Sequence, residues 1–161
     1  MAKKKIIVFM PAHNEEENIS GVIARVPRDF HPQYEVEVLV IDDGSKDSTV
    51  TVAREAGADH IVSFAHNRGL GAAVREGLKQ SCLLGADIGI MIDADNEYPP
   101  EQIPDVLAPI IHGHADYTFG SRFKGQIQGM KLHRRLGNYT FTLLQAILLR
   151  RWIYDGQSGM R

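Results

Sequence analysis

Three carboxylates at alternate positions, Asp93, Asp95 and Glu97, close an apolar run in the stretch MIDADNEYPP, residues 91–100. In extended backbone, residues two apart project to the same side, so Asp93 and Asp95, separated by the small Ala94, can aim at one point. Close like charges repel unless a cation lies between them. A hard divalent ion such as Mg2+ or Mn2+ takes one or two carboxylates and completes its shell with substrate phosphates, which suits this spacing. An EF-hand calcium loop does not fit: its sixth position needs glycine and its twelfth glutamate, where this chain has Tyr98 and Pro104. The plain alternative is a solvated turn that caps a strand.

Other polar clusters stand beside this one: PAHNEEEN (11–18), DDGSKDST (42–49), HNRGLG (66–71) and GSR (120–122). Asp42 and Asp43 can accept hydrogen bonds from ribose hydroxyls or a base N–H, or can simply cap a helix. Arg122 can clamp a phosphate bidentately or form a surface ion pair. GLGAAV imitates the dinucleotide fingerprint only in part, because Val74 stands at its third glycine position and the motif follows a third strand, not a first, so a Rossmann NAD site is rejected. The glycine-rich run through Gly71 can still bring backbone N–H groups to a phosphate, or it is a tight turn. His112 and His114 form an HxH with no third ligand nearby, which argues against zinc.

These clusters need elements to position them. Continuous apolar runs predict strands at Lys5–Met10, Val36–Ile41, His60–Phe64, Ile88–Ile92 and Asp116–Phe119, as expected where both faces are covered. Amphipathic windows predict helices at Glu16–Val26, Ser48–Ala56, Gly71–Leu84 and Glu101–Ile111. Asp47 or Ser48 caps the second helix, Gly57 stands at its αL stop, and Pro99 with Pro100 suits the start of the fourth. The alternation predicts an α/β fold, a Rossmann-like, mostly parallel sheet flanked by helices, with each polar cluster at a carboxyl edge where ligands gather. Beyond Gly120 a loop at 125–129 and an apolar helix over about Arg134–Tyr154 are expected, the helix packing beneath the sheet or resting on lipid.

Composition bounds the function classes. At 161 residues, 43% apolar and 24% charged, the chain fits one domain with a substantial core. A net charge of −2 offers no basic field for nucleic acid, so any anionic partner must be held locally. Cys82 is the only cysteine, which rules out an intrachain disulfide and suits a reducing cytosol; it is expected as a buried small apolar residue. The lysines before IIVFM do not make a signal peptide, because acidic residues follow where small ones should stand. No run approaches the roughly 20 apolar residues of a membrane span.

Taken in order, PAHNEEENI (11–19), VIDDGSKDST (40–49), NRGLGAAVREGL (67–78), DADNEYPPE (93–101), GSRF (120–123), RRLGN (134–138) and DGQSGMR (155–161) resemble the catalytic domain of family 2 inverting glycosyltransferases of the GT-A fold. The similarity is to the branch that transfers mannose or glucose to polyprenyl (dolichyl or undecaprenyl) phosphate. It implies that Pro11, Ala12, His13 and Glu15, with Asp42, Asp43 and Gly71, line the nucleotide pocket. Asp93 would contact the nucleotide, and Asp93, Asp95 and Glu97 would hold Mg2+ or Mn2+ on the diphosphate. Arg122 and Arg134 would meet the acceptor phosphate, and Asp155 would be the base if the acceptor were a sugar hydroxyl. The family often has tyrosine at the position of His13 and glutamine at that of Glu97. The implied donors are GDP-mannose, UDP-glucose or UDP-GlcNAc, and the implied acceptor is a polyprenyl phosphate. The implied setting is the cytoplasm, at the cytoplasmic face of a membrane, with peripheral membrane contact and a homo-oligomer as open options. On this resemblance residues 1–161 form a single catalytic domain, truncated at its C-terminal end.

Rival readings remain at this level. A glycosyltransferase acting on a sugar hydroxyl uses the same donor machinery. A sugar nucleotidyltransferase would carry a GxGTR-like signature after the first strand, which PAHNEEEN lacks. A non-catalytic nucleotide-binding module would not need the DAD and GSR sets.

Overall fold

The computed structural model describes residues 3–120 and 160. The chain runs β1 (Lys4–Ala12), α1 (Ile19–Ala24), β2 (Tyr34–Asp42), α2 (Thr49–Glu55), β3 (His60–Ser63), α3 (Leu70–Leu83), β4 (Ile88–Met91), a 3-10 turn (Pro100–Gln102) and α4 (Ile103–Ile111). The strands form one parallel sheet in the order β3-β2-β1-β4. The chain therefore steps outward from β1 through β2 to β3 and then returns to the other side of β1. That reversal opens a crevice at the carboxyl ends of β1 and β4, the place where parallel sheets bind ligands.

The alternation of β1 explains why both faces are covered. Ile6, Val8 and Met10 point into a core shared with Val36, Val38 and Val40 of β2 and with α1, α2 and α4, including Ile19, Val22, Ile23, Ala53, Ile103 and Leu107. Ile7 and Phe9 point to the opposite face, where Leu39, Ile41, Ala73 and Met91 complete a smaller core under α3. Each such side chain taken out of water contributes roughly 1.5–3 kcal/mol. A hydrophilic strand could not sit here, which is why the apolar runs are continuous.

Helix α3 inverts the usual pattern. Its buried stripe is Ala73, Gly77 and Ser81, spaced four apart, while Leu70, Leu78 and Leu83 are exposed. Small residues let the helix lie close on the sheet, and a Cβ on Gly77 would come within 2.3 Å of the Phe9 ring. Cys82 lies one residue off that stripe and is exposed, which corrects its expected burial.

Two other expectations change. Residues 116–119 pair with no strand among the described residues, and Tyr117 is 64% exposed; a tetrapeptide without a backbone ladder does not form a strand. Helix α1 begins at Ile19 and not at Glu16. Asn14 adopts φ +57, and the N–H groups of Glu15 and Glu16 donate across to Thr49 and Asp47, so the acidic run is a loop. The expected loop at 125–129 and the helix at 134–154 lie outside the described residues.

Candidate functional site

Loops leaving β1, β2, β3 and β4 converge on a cavity of about 330 Å³ lined by Pro11, Ala12, His13, Glu15, Asp43, Asn67, Gly69, Leu70, Ala73, Asp93, Ala94 and Asp95. Seven of the expected site residues thus meet: Pro11, Ala12, His13, Glu15, Asp43, Asp93 and Asp95. A second cavity of about 370 Å³ runs along β4 between α3 and α4, walled mainly by Phe9, Val74, Leu78, Leu107 and Ile110. Asp87, Asp116, Tyr117 and Thr118 also line it, but the motif loops that leave the carboxyl ends of β1, β2 and β3 do not, so the chemistry is assigned to the first.

The first two loops are stitched together by their own motif residues. Asn14 N–H donates to Ser45 Oγ at 3.0 Å and Lys46 N–H returns to Asn14 Oδ1 at 2.9 Å. Glu15 N–H donates to Thr49 Oγ1 at 2.8 Å, Glu16 N–H to Asp47 Oδ2 at 3.2 Å, and Ser48 N–H to Glu16 Oε2 at 2.8 Å. Much of NEEEN and SKDST therefore braces the loops behind the cavity, which only Glu15 of these runs lines. Each bond contributes about 1 kcal/mol net, and the set fixes one loop geometry. The Asp47 carboxyl feels burial, which raises its pKa, but the Thr49 hydroxyl, the Thr49 N–H and the Glu16 N–H outweigh it and hold the group below the usual range. Asp47 thus caps α2, with Thr49 N–H on its Oδ1 at 3.0 Å, and the hydroxyl of Ser48 makes no cap bond.

His13 is oriented by backbone. Its Nδ1 lies 2.9 Å from the Asp43 carbonyl, which can only accept, so Nδ1 carries the hydrogen; Nε2 then accepts from Asn14 Nδ2 at 3.2 Å. Asp43 is 4% exposed, and its carboxylate accepts Arg68 N–H at 2.7 Å and Gly69 N–H at 2.8 Å. Gly44, at φ +71, lets the end of β2 press against the backbone of His66 and Asn67.

Asp93 and Asp95 follow β4 and line the same cavity, but not by alternation in a strand. Residues 94 and 95 form a turn, Asn96 adopts φ +64, and Glu97 N–H donates to Asp95 Oδ1 at 3.0 Å. Arg25, at the C-terminus of α1, holds this turn through hydrogen bonds from Nη2 to Asn96 Oδ1 and from Nη1 to Glu101 at 3.4 Å.

Three expected positions fall elsewhere. Asp42 is 3% exposed and accepts Ser45 N–H on Oδ1 at 3.0 Å, a turn-forming role behind the cavity lining. Gly71 sits inside the first turn of α3; Gly69, the N-cap at φ +84, lines the cavity in its place together with Asn67, Leu70 and Ala73. Glu97 is exposed and outside the lining, because the turn carries it past the cleft. Its N–H supports Asp95. Among the described residues no three carboxylates, histidines or cysteines group as a self-sufficient metal cage. Two carboxylates on one polar cavity nonetheless fit a divalent ion that takes its other ligands from phosphates. Arg122, Arg134 and Asp155 lie outside the described residues.

Comparison with known proteins adds to this geometry. Residues 7–161 match the family described as glycosyl transferase family 2. A UDP-N-acetylglucosamine–dolichyl-phosphate N-acetylglucosaminyltransferase of Methanococcus voltae is 31% identical over 179 residues, covering 100% of this chain and 70% of the relative. Among solved structures, glucosyl-3-phosphoglycerate synthase from Mycobacterium tuberculosis with UDP aligns at TM-score 0.69 and 23% identity, over 98% of this chain and 55% of that one, a likeness of fold. The mannosyltransferase PcManGT from Pyrobaculum calidifontis, with GDP-Man and Mn2+, aligns at TM-score 0.54 and 25% identity, over 74% of this chain and 35% of that one.

Proposed function

The chain belongs to glycosyl transferase family 2, and from that premise we propose that it carries the donor site of a metal-dependent inverting glycosyltransferase that moves a hexose from a nucleoside-diphosphate sugar to a polyprenyl phosphate. The observation that carries this reading is the meeting of Asp93 and Asp95 with the β1 and β3 loops around one cavity. The structural neighbours are GT-A enzymes, which agrees with the parallel α/β sheet found here.

In this reading the nucleotide lies against Pro11, Ala12, His13 and Glu15, with the diphosphate toward Asp93 and Asp95. A divalent cation held by these two aspartates would supply positive charge to the departing diphosphate. The chain's own task is alignment. The stitched loops hold the base end, so that the anomeric carbon faces the acceptor side. A phosphomonoester acceptor is already an anionic nucleophile near neutral pH, so no strong base is needed. Arg122 and Arg134 are proposed to position it by charge. A single displacement inverts the anomeric configuration. The acceptor class follows the dolichyl-phosphate enzyme of Methanococcus voltae, and the use of manganese follows the mannosyltransferase solved with Mn2+. Among the described residues no helix is long and apolar enough to cross a membrane. Contact with the lipid-borne acceptor is proposed to be peripheral, at the cytoplasmic face.

The test is transfer itself. The chain is incubated with Mn2+, a short polyprenyl phosphate and radiolabelled UDP-GlcNAc, UDP-glucose or GDP-mannose in turn, and label is read in the lipid extract. Label on the lipid phosphate from one donor is expected. No label in the lipid extract, with label instead on an oligosaccharide acceptor supplied in a parallel incubation, would transfer the proposal to hydroxyl acceptors, with Asp155 as the base to examine.

A further inference from the structure

We propose that Asn18 is a positioning residue, whose side-chain amide pins the Glu15 carboxylate so that Glu15 meets the nucleoside in one fixed rotamer. The proposal rests on the cavity being the nucleotide site. Glu15 lines that cavity and Asn18 does not. Asn18 Nδ2 donates to Glu15 Oε2 at 2.9 Å in a half-buried setting. Among the described residues no other group bonds the Glu15 carboxylate, so Oε1 keeps its capacity to accept an O–H or N–H from a nucleoside.

The local backbone shows what this side chain forgoes. Asn18 is the N-cap of α1, where an asparagine ordinarily accepts a first-turn N–H through Oδ1, yet it makes no side-chain cap bond. It reaches back to Glu15 instead. The main chain of Glu15 is already fixed: its N–H donates to the hydroxyl of the buried Thr49 at 2.8 Å, and its carbonyl accepts Asn18 N–H at 3.1 Å and Ile19 N–H at 2.9 Å. The Thr49 hydroxyl in turn donates to Asp47 Oδ1 at 2.5 Å. Only the side-chain torsions of Glu15 are left to settle, and glutamate is among the residues with the most rotamer freedom to lose. The Asn18 bond settles them before a ligand arrives, which is how preorganisation raises affinity. An amide does this without adding a countercharge, so the carboxylate stays a strong acceptor for the ligand.

Calorimetry of the whole chain with UDP and GDP in Mn2+, between about pH 5 and about pH 8, tests this, each variant being compared with the wild type at the same pH. Asn18→Ala removes the donor but no cap bond. It should raise Kd about fivefold by the same factor at every pH, with little change in thermal midpoint. Asn18→Asp ranks with asparagine as an N-cap, so the midpoint near neutrality should hold, but it sets a second carboxylate against Glu15 and Kd should rise about tenfold near pH 8. Toward pH 5 the two carboxylates come to share one proton, which restores a donor, and the gap to the wild type should narrow to about threefold or less. Wild-type affinity in the folded variants would overturn the proposal. So would an Asn18→Asp gap that does not change with pH, or losses of affinity that track a fall in thermal midpoint, the mark of a weakened α1. If Asn18→Asp does not fold, the affinity and midpoint of Asn18→Ala still decide. A wild type that binds neither nucleotide would instead overturn the nucleotide reading, and the positioning role with it.

Discussion

Gly44→Ala tests whether the close approach of the β2 and β3 loops shapes the cavity. An added Cβ would stand 2.5 Å from the His66 carbonyl carbon, 2.7 Å from Asn67 N and 2.8 Å from His66 Cα, all backbone atoms that cannot swing aside. Alanine at φ +71 costs about 1–2 kcal/mol in backbone strain, and the overlap about 1–3 kcal/mol more. A stiffer unfolded chain returns about 0.4–1 kcal/mol, leaving a net loss of about 1–4.5 kcal/mol. Gly85→Ala is the internal control. Its φ is +77 and nothing lies within 4 Å of the added carbon, so only the strain applies and the net loss should be about 1 kcal/mol or less. Urea unfolding followed by circular dichroism measures both, and a domain of this size should survive either change. Gly44→Ala should also weaken Mn2+-dependent binding of UDP or GDP by displacing Asn67 and Gly69, while Gly85→Ala should not. Equal losses of stability in the two variants would show that the loops do not touch as described.

Acidification should loosen the stitched loops, because the Asp47 carboxyl is held below its ordinary range. A depressed folded-state pKa contributes stability that is present above the unfolded value, about 3.9, and is lost as pH falls through the folded value. Asp47→Asn should therefore lower the thermal midpoint near pH 7 and narrow its gap to the wild type at the acid end; a pH-independent gap would refute the assignment. Arg25→Ala removes the hold on Asn96 and Glu101, and because this is a half-exposed surface contact the expected loss of Mn2+-dependent nucleotide affinity is only a few-fold, with the fold intact. No loss at all would show that the turn holds itself.

The strands of the parallel sheet were legible, though not their order within it, because burial on both faces demands unbroken apolar runs such as Ile6–Met10, every residue of which is 2% exposed or less. The convergence of Pro11–Glu15, Asp43 and the DAD turn was legible for the related reason that parallel strands deliver their carboxyl ends to one edge. What pattern could not reveal was the use of individual polar groups. Asn14, Glu16, Asp47 and Thr49 find partners some thirty residues away, and no local periodicity encodes a cross-loop hydrogen bond. Asp42 and Asp43 are neighbours in sequence, yet one closes a turn and the other holds the loop that enters a distant helix. Cys82 was misplaced because close packing on the sheet selects the Ala73, Gly77 and Ser81 stripe over larger residues. The strand expected at 116–119 failed because residue type alone does not supply a backbone partner.

Calorimetric titration of the chain with UDP and GDP, in Mn2+ and in EDTA, for the wild type and for Asp95→Ala, tests the central claim most directly. Manganese should raise wild-type affinity for one of the two nucleotides by about tenfold or more, and Asp95→Ala should abolish that gain with little change in thermal midpoint. Equal affinity with and without the metal, or an undiminished metal response in the variant, would contradict the account.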